Sequence, residues 1–179
     1  MTSRSGVNKL GLVHVYTGDG KGKTTASVGL AVRAVGSGMR VAFVQFVKGG
    51  RESSELASLR RLGIEVVRPA TEPSGLMRNV RTVRDHEAAA LALAAARDAL
   101  SGAFDLVVLD EACVAARSGL IGIDDLVAAI RDRALDVEVV CTGRGAPPEL
   151  LELADYVTEL HPIRHPFERG IHARKGIEY

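Results

Sequence analysis

"YTGDGKGKTTAS", residues Tyr16 to Ser27, decides how the rest of the chain is read. Between Gly18 and Thr25 it places three glycines, two lysines and two threonines. The usual phosphate-cradling pattern is G-x-x-x-x-G-K-[ST] between a strand and a helix. The closing part is present as Gly22-Lys23-Thr24, but five residues before Gly22 stands Thr17, and the nearest glycine is Gly18. The physics tolerates this shift. Gly18, Gly20 and Gly22 allow the backbone to curl so that successive N–H groups point inward as an anion nest. Asp19, Lys21 and Thr25 lie in the same loop. A helix opening near Gly22 adds the positive end of its dipole. Lys23 reaches phosphate oxygens as a point charge, and the Thr24 hydroxyl is a ligand type that Mg²⁺ accepts.

Outward from the loop, apolar runs alternate with helical patterns. LVHVYT (Leu12 to Thr17) reads as a strand and Gly22 to Val35 as a helix, with Ala26, Leu30, Ala31 and Ala34 at helical spacing. Strands are predicted at Arg40 to Val47, Ile64 to Arg68, Phe104 to Ala112, Val137 to Gly143 and Tyr156 to Leu160. Helices are predicted at Glu52 to Leu62, Thr82 to Leu100, Ile123 to Arg133 and from Pro147-Pro148 to Asp155. Apolar strands separated by helices imply a parallel sheet covered on both faces, with ligands at the carboxyl ends of its strands. The expectation is a single α/β domain over residues 1–179. It has a P-loop NTPase (RecA-like) fold of about six mostly parallel strands, with residues 1–10 as a flexible arm.

A second feature supports nucleotide chemistry. VVLDEA puts Asp110 and Glu111 at the end of a buried strand, where a metal ion serving the loop would sit. One carboxylate would hold the metal through water and the other would position a reacting group. The same residues also suit a helix N-cap.

The bulk numbers exclude several classes. The chain has 179 residues with a net charge of +1, and aromatic residues make up 4% without a tryptophan. Neither a strong basic field nor a base-stacking surface is present, so nucleic acid is not an expected partner. No apolar run approaches the roughly 18 residues of a membrane span, and the Ala-rich stretch Ala88 to Ala96 is cut by Arg97 and Asp98. The first ten residues lack an apolar signal core, and Cys113 and Cys141 form neither a disulfide framework nor a metal spacing. A reducing cytoplasm is the expected location. His161 and His165 have the spacing of a metal pair, but Pro162 and Pro166 prevent the helix that would align them.

The order TGDGKGKTT, VQFVKG (Val44 to Gly49), VVLDE (Val107 to Glu111), TGRGAPPELLELADYVTEL (Thr142 to Leu160) and HPFERGIHARKGIEY resembles the P-loop ATP:corrinoid adenosyltransferases. These act on cob(I)alamin or cob(I)yrinic acid a,c-diamide. The resemblance covers Gly11 to Tyr179, and the TGRG segment and ARKGIEY ending make it specific. It implies transfer of the 5′-deoxyadenosyl group of ATP to the Co(I) of a reduced corrinoid, with release of tripolyphosphate. ATP would be held reversed relative to ordinary P-loop ATPases, so the shifted loop cradles the leaving group. It also implies Mg²⁺ or Mn²⁺, a homodimer, and an electron donor such as a reduced flavoprotein.

By this resemblance Lys23, Thr24 and Glu111 are the catalytic candidates, with Thr24, Asp110 and Glu111 around the metal. ATP binding would also use Gly18 to Thr25, Arg33 and Arg144. Arg33 equally suits an exposed helix position and Arg144 a solvent-facing turn. Phe46 and Lys48, after Gln45 at the end of strand two, are corrinoid candidates, although a strand phenylalanine commonly belongs to the core. Well-known members carry a Phe and Trp pair after strand three. The matching ATEPSGLMRN, Ala70 to Asn79, offers Leu76 and Met77, of which methionine is the more adaptable filler. Some relatives have a longer N-terminal arm over the corrinoid; here about ten residues precede strand one. Loop and carboxylates alone leave open a P-loop ATPase or kinase, or an ATP-dependent corrinoid chaperone.

Overall fold

The computed structural model describes residues 11–47, 53–69 and 82–177. The arm expected over residues 1–10, and the corrinoid candidates Lys48, Leu76 and Met77, lie outside these described residues.

The elements follow in order: β1 (Val13–Thr17), α1 (Lys23–Gly36), β2 (Val41–Gln45), α2 (Ser54–Arg61), β3 (Glu65–Val67), α3 (Val83–Leu100), β4 (Leu106–Asp110), α4 (Ala112–Arg117), α5 (Ile123–Arg131), β5 (Glu138–Thr142), α6 (Pro148–Leu153) and β6 (Tyr156–Glu159). A 3₁₀ turn at Pro166–Arg169 lies in the C-terminal tail. Among the described residues six strands form one sheet in the order β3-β2-β4-β5-β1-β6, and its pairings there are all parallel. This is the α/β arrangement of P-loop NTPases.

Period-two alternation divides the strands between two cores. Val13, Val15, Ala42, Val44, Val107, Leu109, Val139 and Cys141 face the helices α3 to α6. Val41, Phe43, Leu106, Val108 and Val140 face Ala31 and Ala34 of α1 and Leu56 and Leu59 of α2. Helix α3 presents Ala88, Ala89, Ala92, Leu93, Ala96, Ala99 and Leu100 to the sheet at helical spacing. Its small side chains let the helix lie close to β2 and β4. A capping box opens it: the Thr82 hydroxyl accepts from the Asp85 N–H, and the Asp85 carboxylate accepts from the Thr82 N–H.

The boundary at the end of β4 differs from the sequence expectation. The strand predicted through Ala112 stops at Asp110, and α4 follows at once. The turn is made at Glu111, whose φ of 60° and ψ of 20° end the extended backbone. Helix α4 is six residues of ACVAAR, too short and too uniformly apolar for periodicity to separate it from a buried strand. The edge strand β6 is exposed along all four residues, unlike the buried inner strands.

Candidate nucleotide site

The loop between β1 and α1 lies at the carboxyl edge of the sheet, as do Asp110 at the end of β4 and Thr142 at the end of β5. Gly18 at φ 90° and Gly22 at φ 120° occupy conformations that side chains disfavour. Gly20 has a different reason to be glycine. Its N–H donates to the Leu160 carbonyl at 2.7 Å, and a Cβ there would meet the Leu160 carbonyl carbon and oxygen at 2.7 Å. Leu160 in turn donates its N–H to the Thr17 carbonyl at 2.9 Å. The Gly20 N–H is thus already engaged by the Leu160 carbonyl. This bond pins the loop to the end of β6, and the missing side chain permits that approach.

Lys23 opens α1 and is nearly buried, at 8% exposure. Its ammonium donates to the Gly18 and Gly20 carbonyls at 2.6 and 2.7 Å, so it holds the curl of the loop from inside. Burial pushes its pKa below the ordinary lysine value and the Arg144 guanidinium pushes the same way; Glu111 and Asp19 partly oppose this. An anion arriving at the loop would relieve the excess positive field.

Behind the loop a hydrogen-bonded group is centred on Asp110, which is fully buried. Its Oδ1 accepts from the Thr24 hydroxyl at 2.9 Å and from the Thr142 hydroxyl at 2.8 Å. Its Oδ2 accepts from Gln45 Nε2 at 3.0 Å. Thr142 also accepts from the Glu111 N–H at 3.0 Å. Strand β5 lies between β1 and β4, so Thr142 links the loop side of the sheet to the carboxylate side. Glu111 is the one non-glycine residue with positive φ among the described residues. That conformation costs about 1–2 kcal/mol.

A cleft of about 770 Å³ opens over the loop, a size suited to a nucleotide-scale ligand. Of the candidates, Gly20 to Thr25, Glu111 and Arg144 line it. Asp110 does not line it; it stands behind Thr24. Nor does exposed Arg33, which lies on α1 close enough to the Tyr16 phenol to oppose its burial-raised pKa. Gly18 and the exposed Asp19 belong to the loop but not to the cleft wall. Phe46 is 5% exposed and packed in the core on the α3 side, with its N–H on the Asp110 carbonyl at 2.9 Å.

Other wall residues were not foreseen. Val28, Ser54, Glu55 and Ser58 bring α1 and α2 into the cleft, and His165, Gly176 and Ile177 bring in the tail. The Lys21 ammonium reaches the Ile177 carbonyl at 3.5 Å. Lys23, Thr24 and the carboxylates were legible from a local pattern. Contacts made by α2 and by the tail come from segments distant in sequence, and no local chemical pattern there assigned them to the cleft.

The histidines singled out in the sequence make local contacts. His14 meets the Glu138 carboxylate at 2.7 Å and stacks on Tyr156 at 4.5 Å between ring centres. His161 lies 3.3 Å from Glu159, whereas His165 Nδ1 accepts from the Phe167 N–H. Among the described residues no group of three or more His, Cys, Asp or Glu side chains is arranged to hold a metal. Both cysteines are fully buried, as expected of small apolar residues. No helix of the described residues is long and apolar enough to cross a membrane.

Thr24 fits a divalent cation better than a count of carboxylates suggests. Its proton is committed to Asp110, so its lone pairs are free to turn toward the cleft. With the Glu111 carboxylate in the same wall, the donor set is two oxygens plus whatever a ligand brings. Mg²⁺ sites in phosphate chemistry commonly have that form.

Comparisons with known proteins point to one family. The family model described as ATP:corrinoid adenosyltransferase BtuR/CobO/CobP matches residues 9–179. A corrinoid adenosyltransferase of Pseudomonas aeruginosa is 38% identical over 170 residues, covering 94% of this chain and 84% of that protein. One from Escherichia coli strain K12 is 38% identical over 172 residues, covering 94% and 86%. Corrinoid adenosyltransferase CobA of Salmonella typhimurium is 37% identical over 171 residues, with the same coverage.

Proposed function

The chain belongs to the BtuR/CobO/CobP family of ATP:corrinoid adenosyltransferases, and from that premise we propose how its site carries out adenosyl transfer. The protein is an enzyme that moves the adenosyl group of ATP to a corrinoid. The loop and Lys23 hold the triphosphate as the leaving group. Cobalt of the substrate, reduced to Co(I), attacks the ribose C5′. The C5′–O bond breaks, its electron pair departs on tripolyphosphate, and the cobalt is left alkylated.

The observation that carries this reading is the convergence of Lys23, Thr24 and Glu111 on one cleft. Cobalt supplies the nucleophile, so the protein's task is alignment and charge neutralisation. Lys23 neutralises the developing oxyanion, and Asp110 orients Thr24 from behind. Mg²⁺ or Mn²⁺ held by Thr24 and Glu111 would add further stabilisation of the leaving phosphates. Arg144, in the same wall, contacts phosphate or corrinoid. Arg33, exposed on α1 outside the cleft wall, is the nucleotide candidate that this cleft does not bring in. Lys48, Leu76 and Met77 serve the corrinoid side; Phe46, packed in the core, supports the end of β2 instead. The same reading makes residues 1–179 one domain. It also makes the enzyme a cytoplasmic homodimer supplied with Co(I) through a reduced flavoprotein.

The test is anaerobic incubation of the full chain with Mg-ATP and chemically reduced corrinoid. A light-sensitive alkylcorrinoid with stoichiometric tripolyphosphate is expected. ADP and phosphate with an unchanged corrinoid spectrum would instead identify cleavage at the γ-phosphorus.

A further inference from the structure

We propose that Gln45 is a positioning residue of the nucleotide site, acting on Thr24 through the Asp110 carboxylate; the inference rests on the nucleotide reading above. Gln45 closes β2 and is paired in register with Asp110 on the neighbouring strand. Its side chain is 1% exposed. A buried carboxylate needs donors on both oxygens. Oδ1 is supplied by Thr24 and Thr142, and Oδ2 by Gln45 Nε2 at 3.0 Å.

The polarity of this contact is forced. A carboxylate only accepts, so the amide must turn its NH₂ toward Asp110. That leaves Gln45 Oε1 buried and without a hydrogen-bond partner among the described residues. A methionine would fill similar volume with no unpaired oxygen. What glutamine adds at this position is therefore the N–H bond that fixes the carboxylate plane. That plane sets Oδ1 between the two threonine hydroxyls, and the bond from Thr24 turns its lone pairs toward the cleft. Gln45 itself does not line the cleft, so its influence on bound nucleotide passes through Asp110 and Thr24.

The test compares Mg-ATP binding, by calorimetry, in the wild-type full chain, Gln45→Met, Gln45→Glu and the double variant Gln45→Glu/Asp110→Asn, with melting curves in parallel. Partners standing behind a ligating group typically matter about ten- to hundredfold, and Gln45→Met should weaken Mg-ATP binding by that factor while remaining folded. Gln45→Glu should be worse, because it sets two carboxylates against each other. The double variant rebuilds the bond with reversed polarity: the introduced amide donates to the introduced carboxylate and still accepts from both threonines. It should recover most of the loss.

Equal affinity in wild type and Gln45→Met overturns the proposal, as does a lowered melting temperature with unchanged affinity in the folded protein. If the single variants do not fold, the Gln45 side-chain amide is followed by NMR in the wild type. A signal slow to exchange and shifted by Mg-ATP supports the positioning role, and an unshifted signal overturns it. A wild-type chain that does not bind Mg-ATP defeats the nucleotide reading itself, whereas binding that ignores Gln45 defeats this inference alone.

Discussion

Glu111 carries two demands in one residue. Its left-handed backbone turns the chain from β4 into α4, and its side chain faces the cleft. Glycine would meet the first demand without strain and abolish the second. Glu111→Gly should therefore retain or gain stability, by about 1 kcal/mol, while adenosyl transfer falls. Calorimetric melting beside an activity assay checks this, and a large loss of stability would show that the side chain holds the turn. Cys113 offers a separate test at high pH. Burial, followed by the charge of Glu111, pushes its thiol from 9.0 up to about 12. The folded-state value lies above the unfolded one, so this stabilisation is complete below about pH 9 and is lost as pH rises toward 12. The expected slope is about 1.4 kcal/mol per pH unit for one thiol. Buried Lys23, with its pKa pushed down, slopes the other way below its ordinary 10.5. The quantity to measure is accordingly the difference between wild type and Cys113→Ala in denaturant melts from pH 8 to 11. Parallel curves for the two proteins would contradict the assignment.

At the scale of elements, the loop and β6 form one unit. The Gly20 N–H, the Leu160 carbonyl, the Leu160 N–H and the Thr17 carbonyl tie the loop to the end of the edge strand. Gly20→Ala would drive a methyl group into the Leu160 backbone, which cannot move aside as a flexible side chain would. We expect a loss of about 1–3 kcal/mol, the usual range for forced overpacking, together with weaker nucleotide binding. Denaturant midpoints and ATP titration of the same variant measure both, and an unaltered pair of values would show the contact to be soft. The sequence announced this loop by composition, because glycine, lysine and threonine at those spacings answer a local requirement. It did not announce the division of labour among the glycines. That division depends on Leu160, about 140 residues later, and no local pattern encodes such a neighbour.

At the scale of the whole molecule, the cleft joins parts distant in the chain: the loop, α2, the β4–α4 turn and the C-terminal tail. A ligand that bridges them should stabilise the entire fold. Mg-ATP at a hundred times its dissociation constant contributes about 2.7 kcal/mol. For a chain of this size that is roughly 5–10 °C in melting temperature. Thermal melts with and without Mg-ATP test it, and an unshifted midpoint would mean that the folded chain does not hold nucleotide.

The amino-acid sequence alone determined the alternation of strands and helices, the phosphate loop and the carboxylate pair. Each is written in local spacing: apolar runs, helical periods, and residue types a few positions apart. It left the β4 boundary wrong at Ala112, because a short apolar helix and a buried strand carry the same composition. Tertiary structure decided which carboxylate faces the cleft and which stands behind it. Asp110 is enclosed by Thr24, Thr142 and Gln45, residues of three different elements, while the strained backbone of Glu111 begins the next helix and brings its side chain to the wall. Two adjacent acidic residues look alike in sequence. Burial and hydrogen-bond partners assign their roles, and those exist only once strands β2, β4 and β5 have been brought side by side.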